Sequence, residues 1–288
     1  MAQPTTVIIG SNGQLGTDLL RCFTGDNVVG VTHADLEIAN ANEVLALMRD
    51  IKPSVVINTA AFHQTARCEQ QPAKAYEVNA VGAVNVAKAC ELVDAVLVHV
   101  STDYVFDGAK NSPYVETDPV KPLSVYGLSK AAGEVGVATY CPKHFVVRSC
   151  GLYGSVPSRA KGDNFITKIR RLAGERGYVT VVDDEFVTPT WTFSLARQIR
   201  RLCTDDQVRY GVVHATNEGQ CSWYEFTEEI FRLTGTTAGL KRISAGAAVD
   251  LRRPRYSVLE NRVLKNADAN VMECWRESLA GYLKSVES

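Results

Sequence analysis

The sequence predicts an α/β fold: a doubly wound parallel sheet joined to a smaller C-terminal α/β domain. Three observations carry this. Short, continuous apolar runs alternate with longer helical patterns through the first half of the chain, as expected for strands covered on both faces by crossover helices. A glycine-rich turn follows the first of those runs, as in Rossmann-type sheets. After Arg148 the rhythm breaks into a Gly- and Ser-rich stretch, and the later helices and strands lose the regular alternation.

Each element follows from its residues. Thr6-Val7-Ile8-Ile9 reads as a buried strand and is followed by a helix from about Gln14 to Phe23. Val28 to Val31 is a second strand, and Glu43 to Ile51 a helix with Leu45, Leu47 and Met48 as its apolar residues. Val55-Val56-Ile57 is a third strand, Tyr76 to Leu92 a long helix of small residues, and Ala95 to Val100 a fourth strand. Ser124 to Tyr140 is helical and His144 to Val147 a fifth strand. Right-handed crossovers should connect them. Gly151 to Gly162 has the composition of a loop. Then come a helix at Asn164–Ala173, a strand at Tyr178–Val182, a helix at Thr192–Cys203 and a strand at Gly211–His214. Ser222 to Leu233 is helical, with Trp223, Phe226, Ile230 and Phe231 at helical spacing, and a last helix spans about Met272 to Val286. The division is therefore residues 1–150 as a nucleotide-binding domain and 151–288 as mainly a substrate-binding one, with about 186–215 crossing back to the first.

The bulk numbers narrow the function. With 31 basic and 32 acidic residues among 288, the chain has no global field to attract nucleic acid or an anionic membrane. No stretch approaches a membrane span, and Met1-Ala2-Gln3-Pro4 lacks the character of a signal peptide. Eight scattered cysteines with no Cys-x-x-Cys pair read as reduced thiols in the cytoplasm. Five histidines without metal spacing give no reason to assign a metal. The oligomeric state is open, a homodimer included.

Four local patterns carry chemistry. Gly10-Ser11-Asn12-Gly13-Gln14-Leu15-Gly16 lies between the first strand and its helix. Glycines allow the tight turn and the close approach of a pyrophosphate, whose charge the helix N-terminus favours. The end of the second strand, which selects between NADH and NADPH, carries Thr32, His33 and Asp35; His33 reads equally as a phosphate contact or a surface histidine. Ser101 to Gly108 leaves the C-terminal end of the fourth strand, where open sheets bind ligands. A hydroxyl there can polarise a ketone, or merely cap a turn. Finally, Tyr126 and Lys130 stand four apart and share a helix face. An ammonium beside a phenol would lower its pKa and let it exchange a proton with a carbonyl oxygen. Asn79 sits inside a helix, an unfavourable place for asparagine, and reads either as a helix-to-strand bridge or as water-relay support for Lys130.

Together these segments resemble the extended short-chain dehydrogenase/reductase superfamily and, more closely, the dTDP-4-dehydrorhamnose reductase family. The likeness runs through residues 10–16, Val55 to Ala61, Ser101 to Gly108, Glu116-Thr117-Asp118, Pro122 to Gly127, Gly162 to Phe165, Pro189-Thr190, Ser222 to Phe226 and Arg253-Pro254. It implies an enzyme in which Thr102, Tyr126 and Lys130 form the catalytic triad. It implies that Gly10, Asn12, Gly13, Gln14, Leu15, Glu37, Ile38, Ala60, Ala61, Asn79, Tyr126 and Lys130 contact NADPH or NADH. It further implies that Thr102, Asp103, Tyr104, Val105, Phe106, Tyr126, Asn164 and Arg253 hold a nucleotide-linked sugar, Arg253 on its diphosphate unless that arginine is an ordinary surface ion pair. The expected reaction is reduction of the 4-keto group of dTDP-4-dehydro-L-rhamnose. Its alternatives are a reductase or epimerase of another nucleotide sugar, or a non-catalytic regulatory subunit like that of methionine adenosyltransferase.

The chain also departs from the family pattern. Glu37-Ile38 stands where Asp-Ile or Asp-Leu is usual, and Arg148-Ser149-Cys150-Gly151 where Arg-Thr-Ser-Trp is common. The lost tryptophan removes a packing surface, for which Arg159 and Lys161 in the longer loop could compensate. Asp184-Glu185-Phe186-Val187 and His63-Gln64-Thr65-Ala66 also differ from the family consensus. All but the first pair bear on the sugar, so the chemistry is better specified than the substrate.

Overall fold

The computed structural model describes residues 4–157, 162–247 and 253–287. The elements, in order, begin with β1 (Thr5–Ile9), α1 (Gln14–Cys22), β2 (Asn27–Val31), α2 (Ala41–Ile51), β3 (Val55–Asn58), α3 (Thr65–Gln70) and α4 (Pro72–Tyr76). A π-helical segment (Glu77–Gly82) leads into α5 (Ala83–Leu92), β4 (Val96–Thr102), a 3₁₀ turn (Asp103–Val105), α6 (Val125–Tyr140) and β5 (His144–Ser149). There follow β6 (Leu152–Tyr153), α7 (Phe165–Arg176), β7 (Tyr178–Val182), β8 (Phe186–Val187), β9 (Thr190–Trp191), α8 (Thr192–Thr204) and β10 (Gly211–His214). The chain ends with β11 (Cys221–Ser222), α9 (Trp223–Thr234), β12 (Gly239–Ile243), α10 (Arg262–Asn266) and α11 (Trp275–Glu287).

Six strands form one parallel sheet in the order β2-β1-β3-β4-β5-β10. The order reverses between β1 and β3, so the crevice that binds ligands in such sheets lies beyond the C-terminal ends of β1, β3 and β4. Two apolar layers cover the sheet. One joins Val44 and Met48 of α2, Val86, Ala87 and Cys90 of α5 and Val137 of α6 to Val7, Ile9, Val56, Leu97 and Val146. The other joins Leu15 and Leu19 of α1, Leu195 and Ile199 of α8 and Leu264 of α10 to Ile8, Ile57, Val98 and Val147.

The segment after β5 serves both halves. β10 extends the main sheet beside β5, and α8 packs on α1 through the second layer. Asp18 of α1, wholly buried, accepts a 2.6 Å hydrogen bond from Thr192 at the start of α8, fixing the helix that follows the glycine turn. The remaining helices build a separate core from Ile166 and Ile169 of α7, Val179 and Val181 of β7, Phe226 and Ile230 of α9, and Trp275, Leu279 and Tyr282 of α11.

The differences from expectation have local causes. The helix read from Tyr76 to Leu92 runs from Pro72 and is interrupted by the π segment, a widening that composition does not reveal. Proline at the first position of α4 starts it earlier, where its missing N–H costs nothing. β12 was not expected, because Gly239–Ile243 is mostly exposed and lacks alternation, yet it pairs in parallel with β7. The last helix begins at Trp275 because Cys274 bridges to Glu218 instead. The loop expected at Gly151–Gly162 contains β6, paired with β9; Arg159 and Lys161 lie outside the described residues.

Candidate active site

The glycine turn is built by close backbone contacts. Gly10 adopts φ +79°, and a Cβ there would stand 2.5 Å from Thr59 Oγ1, so the turn after β1 and the turn after β3 touch. A Cβ on Gly16 would fall 2.2 Å from the Gly10 carbonyl, which lets α1 start directly over the turn. Gly13 caps α1 without a side-chain hydrogen bond, and the first helical turn holds no acidic residue. Gln14 Nε2 is buried without a partner. Uncapped N–H groups at the start of α1 and an unpartnered amide on its first residue suit the oxygens of a pyrophosphate.

At the second strand the structure favours neither cofactor. Asp35 accepts from both the backbone and the hydroxyl of Thr32, and His33 is exposed. Glu37 Oε1 accepts from Ala39 N at 3.1 Å, while Oε2 lies 3.8 Å from Lys74 Nζ and 3.9 Å from His33 Nδ1. Ile38 is packed in the core against Gly82, and its carbonyl accepts from Asn85.

Thr102, Tyr104 and Tyr126 converge beyond β4. Thr102, at the strand's end, accepts from Tyr104 N and donates to Asp103 Oδ1 at 3.0 Å. Tyr104 and Tyr126 meet edge to face with ring centroids 5.5 Å apart. Ser124 caps α6 by accepting from Gly127 N, and Glu69 of α3 accepts from Val125 N at 2.8 Å. Gly127 allows that first turn to lie on the Tyr104 carbonyl, where a Cβ would clash at 2.2 Å. The Tyr126 hydroxyl is thereby held beside Thr102. Burial raises the Tyr126 pKa, Thr102's hydrogen bond pulls it down, and Asp103 pushes it up again.

Lys130 corrects one expectation. Its ammonium was expected beside Tyr126, lowering the phenol's pKa. Instead Nζ donates to the Val100 carbonyl at 2.7 Å and lies 3.2 Å from His99 Nε2. The phenol is raised, because burial outweighs every favourable contact it makes. Lys130 is itself 1% exposed, and desolvation lowers it to about 8 while Glu134 opposes that drop.

Other residues expected to hold ligands are already engaged. Asn79 accepts from Phe62 N and donates to Phe62 O and to Ser129 Oγ, bridging the π segment to the β3 turn and α6 rather than reaching Lys130. Asp103 is buried, bonded by Thr102, Cys150 and Ser257, and raised by desolvation. Val105 and Phe106 are wholly buried in a cluster with Tyr114, Val187 and Leu259. Asn164 caps α7, accepting from Thr167 N and donating to Gly154 O and Tyr282 Oη, so its amide is saturated. Ala60 and Ala61 are half-buried in the turn after β3. Arg253 is exposed; burial raises both Tyr104 and Glu185, and the Arg253 charge offsets part of each rise. Gly151 takes φ +58° with Pro189 Cα 3.2 Å from where a Cβ would sit.

His99 and Asn58 were not foreseen. The signal was present: a histidine interrupts the apolar run Val96-Leu97-Val98-His99-Val100 three residues before Thr102. Among the described residues no group of three or more His, Cys, Asp or Glu could hold a metal ion, and no helix is long and apolar enough to cross a membrane.

A doubly wound sheet with a glycine turn at its switch point, with Tyr126 beside Thr102 at the end of β4 and Lys130 against that strand, defines an oxidoreductase of the extended short-chain dehydrogenase/reductase class. Residues 5–288 match the family described as RmlD substrate binding domain, and the chain belongs to that family. It is 36% identical over 285 residues to the dTDP-4-dehydrorhamnose reductase of Streptomyces griseus, covering 96% of this chain and 92% of that protein. Among solved structures it resembles a dTDP-4-dehydrorhamnose reductase from Clostridium acetobutylicum, with a TM-score of 0.93 and 38% identity over 99% of this chain and all of that one. It equally resembles the enzyme of that name from Bacillus anthracis in complex with NADP, with a TM-score of 0.93 and 33% identity over 99% of this chain and all of that one.

Proposed function

We propose that the protein reduces the 4-keto group of a nucleotide-activated 6-deoxy sugar, dTDP-4-dehydro-L-rhamnose in the first instance, using NADPH or NADH. The observation that carries this is Tyr126 held beside Thr102 at the end of β4, one helical turn from Lys130. A reduced nicotinamide, when bound, supplies hydride to the sugar carbon. The turn at Gly10–Gly16 and the N-terminus of α1 hold its pyrophosphate. With a pKa raised by burial, Tyr126 keeps its proton throughout the neutral range and donates it from Oη to the developing alkoxide. Thr102 Oγ1 hydrogen-bonds the same oxygen, a contact that strengthens as negative charge builds. Lys130 holds the ribose hydroxyls and, once charged, stabilises the phenolate left on Tyr126. Arg253, exposed beside Tyr104 and Glu185, offers a guanidinium fork to the sugar diphosphate.

The test is oxidation of NADPH and NADH, followed in parallel with dTDP-4-dehydro-L-rhamnose. Stoichiometric oxidation is expected, and Tyr126→Phe should slow turnover by roughly 10²–10⁴-fold. Turnover of a nucleotide sugar without net cofactor consumption would identify an epimerase instead. Full activity in Tyr126→Phe would remove the proposed acid.

A further inference from the structure

We propose that Asn58 and His99 are positioning residues that set the charge of Lys130 through a buried relay: Ala60 N–H, Asn58 amide, His99 imidazole, Lys130 amine. The three side chains come from neighbouring strands β3 and β4 and from α6, and each is 1% exposed. No solvent stands ready to satisfy a mismatched donor, so the hydrogens must be mutually consistent.

Ala60 N donates to Asn58 Oδ1 at 3.1 Å, which fixes the end of the amide that is oxygen. Asn58 Nδ2 therefore faces His99 Nδ1, at 3.3 Å, and that ring nitrogen presents its lone pair. A neutral imidazole carries one ring proton, which then resides on Nε2. Nε2 lies 3.2 Å from Lys130 Nζ, and its N–H needs an acceptor there. Only an uncharged amine has the lone pair to accept it; the amine's own N–H goes to Val100 O at 2.7 Å.

Charging Lys130 reverses the chain. The amine takes one proton from solvent and loses its lone pair. His99 keeps a single ring proton but must carry it on Nδ1, leaving Nε2 to accept from the ammonium. Asn58 then has to turn its oxygen toward the ring, which releases Ala60 N–H. The lysine's charge is thus tied to the backbone of the turn after β3. Other charged or titratable groups acting on the pair are Glu134 on α6, which favours the ammonium, and His144 on β5, which disfavours a charged His99. Asn79 of the π segment and Asn58 of β3 do not titrate.

The relay's catalytic meaning rests on the role proposed for Lys130, but the relay itself is testable without cofactor or activity. In the cofactor-free chain labelled with ¹⁵N-histidine and ¹³C-lysine, ring-nitrogen and Lys130 Cε shifts are followed from about pH 6 to about pH 10. His99 should be the Nε2–H tautomer while Lys130 is neutral and switch to Nδ1–H as Lys130 protonates. Asn58→Asp places an acceptor opposite Nδ1 in either orientation; it should hold the Nδ1–H tautomer throughout and raise the Lys130 titration by at least about one pH unit, roughly tenfold in proton affinity. Three results would overturn the proposal: Nδ1–H in the wild type at high pH, a tautomer that does not change as Lys130 titrates, or a folded Asn58→Asp whose Lys130 titrates as before. Should Asn58→Asp not fold, the wild-type tautomer decides alone.

Discussion

Replacing Lys130 by methionine should make the cofactor-free protein more stable at neutral pH while abolishing reduction. Burial lowers the ammonium from 10.5 to about 8. At about 1.4 kcal/mol per tenfold change, that drop is a penalty on the folded state of ~3 kcal/mol at pH 7. The sign follows from proton counts. Between about 8 and 10.5 the unfolded chain binds more protons at this site than the folded one, so wild-type stability rises with pH across that window. Linkage leaves ~2 kcal/mol of penalty at about pH 9 and less than ~0.5 at about pH 10.5. Methionine keeps the length of the side chain and removes the charge, but it forfeits the bonds to Val100 O and His99 Nε2, about 1 kcal/mol each. The net gain at neutral pH is about 1–2 kcal/mol, or roughly 2–6 °C in Tm for a chain of this size. Other titrations are common to both proteins and cancel in the difference. Thermal melts of the pair at about pH 7 and pH 10 test this. The reasoning fails if the variant is less stable at neutral pH, or if the difference is the same at both values.

Gly10→Ala forces a left-handed backbone on a residue with a Cβ and drives it to 2.5 Å from Thr59 Oγ1. A loss of at least about 1–2 kcal/mol in urea melts is expected, with weakened binding of NADPH in fluorescence titrations. Glu134→Gln should cost about 3–5 kcal/mol in the same melts, because Arg148 is buried and donates two of its hydrogen bonds to the Glu134 carboxylate, at 3.0 and 2.7 Å. Asn164→Ala should cost about 1–2 kcal/mol through the lost cap on α7 and the lost bonds to Gly154 and Tyr282, detectable as faster hydrogen exchange in the first turn of that helix.

The main sheet was legible in the sequence because its strands are continuous apolar runs and its helices carry one apolar face. Thr102, Tyr126 and Lys130 could be proposed together because spacing and order survive without coordinates. What stayed hidden has physical reasons. The side-chain partner of Lys130, His99, lies 31 positions away along the chain, and that histidine's own partner, Asn58, lies 72 positions from Lys130; only strand pairing brings them together. Asn164 and Asn79 read as ligand contacts through the family resemblance, which carries no information on their protein partners; in the structure both make hydrogen bonds to protein groups. The direction of the Tyr126 shift was misjudged because helical spacing reports a shared face, whereas the β4 carbonyl and His99 decide where the amine points.

A lysine beside its tyrosine would keep the phenol partly ionised in the resting protein, a poor state for a proton donor. A lysine held against β4, with the phenol raised by burial, leaves the Tyr126 phenol protonated in the cofactor-free protein. In the proposed mechanism, the Lys130 charge is needed only as the proton departs. Since the turn after β3 touches the glycine turn at Gly10 and also holds Asn58 through Ala60, a cofactor seated on the glycine turn would lie beside the first member of the relay. Tyr126 and Lys130 are therefore two separately held groups, the phenol kept protonated by burial and the amine held against β4 by Val100 O and His99 Nε2.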